Sequence, residues 1–268
     1  MNVIRLGALI AAIVALCAGA LVAQGQAVPT AASNATQVVV PRGQPVEIAF
    51  TAVPNDPIIA DLSESIGNAI DMAVAEHPAI RGFPIRINEV ATTCLGDNST
   101  AAAQIVGNLQ NTGVLGHLCS AWFEGPLASY DAAGVVVISG SASRDTLPSL
   151  GPSVFNRTIV RDGDGGEAWY EAVSALPRNL AWRDEYEAAF GEQPGFLSDT
   201  YFDAASILID RLQRVSRIVD GNLVIDRRAL ARAVRRTAGF QGVTCTVSFD
   251  AAGNRINDAT ALARCAEG

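Results

Sequence analysis

Two histidines and a few serines are the side chains of this sequence that could act in catalysis. His77 precedes Pro78 at the end of a predicted helix, where a solvated role is expected. His117 lies in the apolar stretch GVLGHL, which we interpret as a strand, so it is expected to be a hydrogen-bonded core residue. The Gly-x-Ser-x-Gly turn of serine hydrolases and the Cys-x-x-Cys pair of zinc sites do not occur. The sequence therefore predicts no enzyme, no cofactor and no metal site.

Charge narrows the possible partners further. The chain has a net charge of −8, and its 19 basic residues are all arginine. Without lysine there is no P-loop lysine and no Schiff-base lysine. An acidic chain is also a poor binder of a phosphate backbone, so we expect no nucleic-acid partner. The run RDGDGGE, residues 161–167, resembles the start of a calcium loop, but it has Glu167 where such a loop needs glycine.

The first residues predict export from the cytoplasm. One arginine, a long apolar run and then small residues make residues 1–27 a signal peptide, which places the protein in the periplasm. A single membrane anchor over residues 6–23 is the alternative. Residues 28–44 are polar, small and proline-bearing, and they are interpreted as a linker to the folded part.

Four of the five cysteines follow the predicted signal peptide: Cys94, Cys119, Cys245 and Cys265. An even number of cysteines in an exported chain indicates disulfide bonds. The sequence pattern leaves three possible connectivities open.

Hydrophobic periodicity predicts that strands and helices alternate after residue 45. The predicted strands are 46–50, 83–90, 113–118 and 135–139, and the helices between them are 57–77, 98–111 and 125–134. Alternation of this kind is typical of an α/β fold with a doubly wound parallel sheet.

The alternation stops after residues 154–158. Helical patterns follow at 165–177, 181–191, 198–219 and 226–237, and a hairpin is predicted for 242–257 with its turn at 250–253. The chain therefore has one alternating domain with a helical tail, and a second alternating domain is missing.

Several stretches resemble a known family. VLGHLCS, YDAAGVVVISGSASRDTL and TTCLGDNSTAAAQIVGNL, together with WRDEYEAAFGEQP, SDTYFDAASILIDRL and GFQGVTCTVSFDAAGNR, are similar to the leucine/isoleucine/valine-binding proteins. These are type I periplasmic solute-binding components of ABC transporters for branched-chain amino acids. The resemblance covers roughly residues 44–160 and 180–258. It implies a small-molecule ligand, an amino acid or amide, and an ABC transporter permease as partner.

The resemblance also implies particular pairings and site residues. It implies a disulfide between Cys94 and Cys119, which leaves Cys245 and Cys265 as the second pair. It assigns the ligand's head group to Ser120, Ser141 and Ser143, at the ends of two neighbouring strands. A hydroxyl group beside free backbone N–H groups suits a carboxylate. Trp122 is a candidate for the floor of the pocket. The alternative for each serine is a helix cap or a turn residue, and the alternative for Trp122 is a core position.

The chain departs from the family in its second lobe. Residues 45–160 correspond to lobe one, 161–180 to a remnant of the crossover into lobe two, and 181–268 to C-terminal helices and a hairpin that complete lobe one. Most of lobe two is therefore expected to be absent, and ligand binding is expected to be weak because half of the enclosing surface is missing. The first loop, FTAVPNDPIIADLSES, also lacks the family's glycine turn, so the ligand class extends to amides and small organic acids.

Four hypotheses follow from the sequence. The first is a shortened solute-binding protein of branched-chain amino-acid transport. The second is a sensor lobe that docks to a partner without transport, and the third is an enzyme that uses His117. The fourth is a degenerate remnant of a binding protein.

Overall fold

The computed structural model describes residues 36–147 and 153–267. The predicted signal peptide, residues 1–27, lies outside the described residues. In the described part of the chain no helix is both long and apolar enough to cross a membrane.

Strands and helices are numbered in chain order. The strands are β1 (Gln37–Val40), β2 (Val46–Ala52), β3 (Ala79–Ile80), β4 (Phe83–Ala91), β5 (Asn111–Leu115), β6 (Val136–Ser139), β7 (Phe155–Arg157), β8 (Arg217–Val219), β9 (Asn222–Asp226), β10 (Phe240–Gly242) and β11 (Cys245–Val247). The helices are α1 (Ala60–Glu76), α2 (Ser99–Gly107), α3 (Glu124–Ala133), α4 (Gly166–Ser174), α5 (Pro177–Phe190), α6 (Ser198–Val215), α7 (Arg227–Arg235) and α8 (Ala259–Ala266).

The central sheet has six strands in the order β3-β4-β2-β5-β6-β7. All neighbours in it are parallel except β3 and β4, which form an antiparallel pair. Between β4 and β7 this is a doubly wound order, in which the chain starts in the middle and extends to both sides. Such sheets bind ligands outside the carboxyl ends of their strands. The prediction of an α/β fold with a doubly wound parallel sheet is confirmed.

The apolar positions of the alternating region form the core. Every residue of β2 and β5 is buried, as expected for central parallel strands covered on both faces. Helix α1 buries Ile66, Ala69, Ile70 and Ala73 on one side, and α6 packs beside it. The predicted helices and strands of residues 45–160 are therefore confirmed to within a few residues at their ends.

The strand predicted over residues 113–118 is shorter than expected, and this changes the position of His117. Strand β5 ends at Leu115, because Gly116 adopts a φ of 136° that other residues rarely adopt. A Cβ at Gly116 would also collide with the Thr51 side chain. His117 therefore follows the strand, and it is a buried core residue as predicted.

Two small antiparallel sheets lie outside the central sheet. The helix predicted for 198–219 is wrong at its end: α6 stops at Val215, and residues 217–219 pair with β9 as a hairpin. The hairpin loop is Asp220-Gly221, and both residues have positive φ, which is the geometry that an Asp-Gly turn favours.

Part of the predicted linker 28–44 is also a strand. Residues 37–40 form β1 and pair with β9, because the alternation in QVVV buries Val38 and Val40 on one side.

The C-terminal part of the chain forms a second, smaller apolar cluster. It consists of Ile159, Val160, Trp169, Val173, Leu176, Leu197, Cys245, Ala261 and Cys265. Cys245 and Cys265 are bonded, with their Cα atoms 5.8 Å apart, so the bridge joins β11 to α8. The prediction of this pair is confirmed. Within residues 36–147 and 153–267 the central sheet is the only parallel sheet.

Candidate functional site

A disulfide joins two loops at the carboxyl edge of the central sheet. Cys94 follows β4 and Cys119 follows β5, and their Cα atoms lie 5.5 Å apart in a disulfide bond. The pairing implied by the family resemblance is confirmed. The bridge fixes the loop that carries Asp97 next to the loop that carries Ser120.

A cavity of about 570 Å³ opens beside this disulfide. The residues lining it come from the loops after β4, β5 and β6: Asp97, Ser120, Ala121, Trp122, Glu124, Gly125, Arg144, Thr146 and Leu147. We call it the edge cavity. It lies where a doubly wound sheet is expected to bind a ligand.

Two of the four predicted ligand residues reach the edge cavity. Ser120 is half-buried, and its Oγ accepts a hydrogen bond of 3.3 Å from the backbone N–H of Arg144. Trp122 is 55% exposed and has a φ of 60°. A non-glycine residue in this region of φ is strained, and such strain often marks a binding loop. The next residue, Phe123, turns into the core against His117 and Phe155, at ring distances of 4.8 and 5.4 Å.

Ser141 and Ser143 are not among the residues that line the edge cavity. The hydroxyl of Ser141 donates to the Leu118 carbonyl at 2.6 Å and lies 2.9 Å from the Tyr201 hydroxyl. Ser143 uses its backbone carbonyl to accept from the Asp162 N–H at 3.1 Å. Of the three serines predicted to bind the ligand, Ser120 is the one that lines the edge cavity.

Ser139 organises this loop, a role that no sequence pattern indicated. Its hydroxyl donates to the His117 carbonyl at 2.8 Å and accepts from the N–H groups of Ser141 and Ala142. The N–H groups of Ser141 and Ala142 are therefore bonded within the protein.

The edge cavity carries both signs of charge, and sequence reasoning missed the residues responsible. Asp97 and Glu124 are acidic and Arg144 is basic. One oxygen of Asp97 accepts from the N–H and the hydroxyl of Ser99, at 3.0 and 2.7 Å. Each residue follows a predicted strand, or begins the helix after one, so position at the sheet edge was the signal that could have found them. A cavity with a cation, a carboxylate and an aromatic surface suits a zwitterionic ligand.

A buried arginine holds the loop that contributes Arg144 to the edge cavity. Arg157 in β7 is fully buried, and its Nη1 donates to the carbonyls of Ala142 and Arg144 at 2.9 and 2.8 Å. Its Nε and Nη2 donate to the side-chain oxygen of Asn254. No carboxylate in the described residues forms an ion pair with it. Burial lowers the pKa of Arg157 to about 10, so it stays charged at neutral pH. It is therefore a positioning residue for the loop that presents Arg144.

His117 lies close to this region but does not line the edge cavity. The ring is buried, its Nε2 lies 2.9 Å from the Tyr130 hydroxyl, and burial lowers its pKa to about 3. Within the described parts of the chain, no group of three histidine, cysteine, aspartate or glutamate side chains is placed to hold a metal ion.

No protein-family model matches the sequence, and no curated protein matches it significantly. Solved structures do match. The leucine-binding protein LivK of Thermotoga maritima is 13% identical, with a TM-score of 0.62 over 79% of this chain and 93% of that one. The fold is that of the type I binding proteins. The confirmed order of the central sheet agrees with this assignment.

Two further structures with the type I binding-protein fold carry ligands. LivJ of Streptococcus pneumoniae, in complex with isoleucine, is 14% identical with a TM-score of 0.60 over 79% of this chain and 94% of that one. A solute-binding protein of an ABC transporter from R. palustris, in complex with benzoate, is 12% identical, with a TM-score of 0.65 over 79% of this chain and 91% of that one. Proteins similar to this chain in fold thus bind an amino acid and an aromatic acid.

Proposed function

We propose that the protein is an extracytoplasmic solute-binding protein that binds an amino acid, or a related small acid or amide, in the edge cavity and passes it to an ABC transporter permease. The observation that carries this proposal is the combination of Ser120, Trp122, Arg144 and Asp97 around one cavity at the ligand-binding edge of the sheet. The ligands of the structural neighbours, isoleucine and benzoate, both have a carboxylate and an apolar body.

The proposed ligand places its carboxylate near Arg144 and the Ser120 hydroxyl. Guanidinium groups bind carboxylates through charge-assisted hydrogen bonds, which are stronger than neutral ones. The apolar body lies against Trp122 and Leu147, and an ammonium group faces Asp97. Ser141 and Ser143, predicted as direct ligands, are proposed to act indirectly through the loop that they help to shape.

Binding is expected to be weak. Trp122 remains 55% exposed, so the cavity encloses a ligand only in part. A small ligand with one charged contact and one aromatic contact has a binding free energy of roughly −4 kcal/mol, which corresponds to a Kd of about 1 mM.

Calorimetry against leucine, isoleucine, benzoate and their amides tests the proposal. We expect heat for the carboxylates and at least about a tenfold loss of affinity for Arg144→Gln, because the carboxylate loses its charged partner. The matched control is Arg217→Gln, which removes one exposed arginine that does not line the edge cavity. A folded protein that gives no heat with any of these compounds refutes the binding function.

The partner and location need separate measurements. Export is checked by fractionating cells that express the full chain, with the expected result that the protein is in the periplasmic fraction. Ligand-dependent capture of a permease supports transport, whereas capture that is independent of ligand supports the sensor hypothesis.

A further inference from the structure

Helix α7 concentrates positive charge in an acidic protein. The segment from Asp226 to Arg236 contains five of the chain's 19 arginines: Arg227, Arg228, Arg232, Arg235 and Arg236. The net charge of the whole chain is −8. Such a concentration needs an explanation, because like charges on neighbouring turns of a helix repel one another.

Two of these arginines have structural roles. Arg227 is buried and donates to the carbonyls of Asn108, Leu109 and Asn111. Arg235 is half-buried and donates to Asn156 Oδ1 and to the carbonyls of residues 153, 155 and 251. Every acceptor is neutral, so neither guanidinium charge is balanced by a carboxylate in contact with it.

The other three arginines line one exposed face. Arg228, Arg232 and Arg236 are spaced by four residues and therefore lie on the same side of the helix. Arg228 makes one long hydrogen bond of 3.4 Å to the Ala132 carbonyl. The side chains of Arg232 and Arg236 form no hydrogen bond or ion pair with the described residues. Structural bonding therefore does not account for them.

These side chains surround a cavity of about 340 Å³, which we call the arginine cavity. Among the described residues its lining consists of Ser153, Val154, Arg228, Ala231, Arg232, Arg235 and Arg236, none of which is acidic. The arginine cavity lies before the start of β7, at the amino edge of the sheet and so opposite the edge cavity.

Three carboxylates of this region accept hydrogen bonds from groups other than the exposed arginines. Asp131 accepts from the N–H and hydroxyl of Ser153, both at 2.8 Å. Asp250 attracts Arg235 but accepts from the N–H groups of its own turn, and Asp226 caps the start of α7. The carboxyl end of α7 adds about half a negative charge, which four guanidinium groups outweigh.

We propose that the arginine cavity is a second binding site, specific for a phosphoryl group or a similar multiply charged oxyanion. Guanidinium groups present paired donors that match two oxygens of such an anion. Arg228, Arg232 and Arg236 present such groups at one small cavity, and Arg235 adds a fourth positive charge, which favours more than one negative charge on the ligand. A free phosphate compound and the headgroup of an anionic phospholipid share this chemistry.

Calorimetric titration with inorganic phosphate and pyrophosphate tests the site, together with sedimentation with phosphatidylglycerol vesicles and with phosphatidylcholine vesicles. We expect binding to at least one phosphoryl probe and none to phosphatidylcholine. Binding to the free anions alone identifies a soluble ligand, and binding to phosphatidylglycerol vesicles alone identifies a lipid headgroup.

The double variant Arg232→Gln, Arg236→Gln is expected to weaken this binding by at least about tenfold. It should fold normally, because neither side chain bonds to the rest of the described protein, and circular dichroism checks this. The matched control is Arg217→Gln, Arg264→Gln, which removes the same charge from two other exposed positions. No binding of any phosphoryl probe, or an equal loss in the control, overturns the proposal, and neither result bears on amino-acid binding at the edge cavity.

Discussion

At the scale of single residues, we expect Arg157 to contribute more to the stability of the fold than any residue that lines the edge cavity. Its side chain makes four hydrogen bonds and is buried, so Arg157→Met leaves the Ala142 carbonyl and the Asn254 amide oxygen without the partners they have in the wild type. The Arg144 carbonyl keeps only a long bond of 3.5 Å from the Leu147 N–H. We expect a loss of roughly 3 kcal/mol in the free energy of unfolding by urea, because removing one side of a buried charged network is costly. The ligand affinity of the edge cavity should fall as well.

Arg161 offers a control for this substitution. It forms an exposed ion pair with Asp164, and Arg161→Met should cost less than about 1 kcal/mol. If both variants lost the same stability, the supporting role of Arg157 would be wrong.

The buried ring of His117 makes the stability of the folded protein depend on pH. Its pKa is about 3 in the folded state, below the ordinary value of 6.5. Between pH 6.5 and pH 3 the unfolded chain therefore binds a proton at His117, whereas the folded protein does not. The contribution of His117 to the free energy of unfolding is complete above pH 6.5 and declines as the pH falls toward 3. As the pH falls through this range, the free energy of unfolding of the wild type should decrease, relative to that of His117→Gln, by up to about 1.4 kcal/mol per pH unit.

The comparison with the variant is needed because a second buried group titrates in the same range. Burial raises the pKa of Asp203 to about 6, so its contribution has the opposite sign and is lost as the pH rises through that value. Asp203 is present in both proteins and cancels in the difference. Parallel stability curves for wild type and variant would contradict the prediction for His117.

At the scale of elements, we expect the two disulfides to hold different parts of the fold in place, the first at the edge cavity and the second at helix α8. Replacing Cys94 and Cys119 by serine frees the loops after β4 and β5, which carry Asp97 and Ser120. Replacing Cys245 and Cys265 frees α8 from β11. The bridges span 25 and 20 residues, so each should stabilise the fold by about 3 kcal/mol.

The ligand affinity of the edge cavity should differ between the two disulfide variants. Only the Cys94, Cys119 variant should lose affinity at the edge cavity, measured by calorimetry at a temperature where both variants are folded. Equal affinity in the two variants would show that the first bridge does not organise the cavity.

At the scale of the whole molecule, ligand binding should occur without a large closing motion. In the described residues the edge cavity is formed by loops of a single parallel sheet, and no second parallel sheet faces it. We therefore expect the radius of gyration from small-angle X-ray scattering to change by less than about 0.5 Å at saturating ligand. A clear contraction would show that a hinge is present after all.

Periodicity in the sequence determined most of the fold. The apolar runs and the helical spacing between residues 45 and 160 predict the central sheet, and burial of β2 and β5 on both faces agrees with them. The family resemblance supplied the pair of Cys94 with Cys119, and Cys245 and Cys265 remained as the second pair. What periodicity could not reveal were short features set by backbone geometry, such as the end of β5 at Leu115 and the hairpin at Asp220-Gly221.

Only the tertiary structure decided which side chains share the candidate site. The sequence placed Ser120 and Trp122 at a strand end, and both line the edge cavity. It also placed Ser141 and Ser143 there, whereas Ser141 bonds to the Leu118 carbonyl, and Asp97 and Arg144 line the cavity instead. The physical reason is that local periodicity records which face of an element is buried. The distance between loops depends on strand order and register, which contacts between residues far apart in the chain determine.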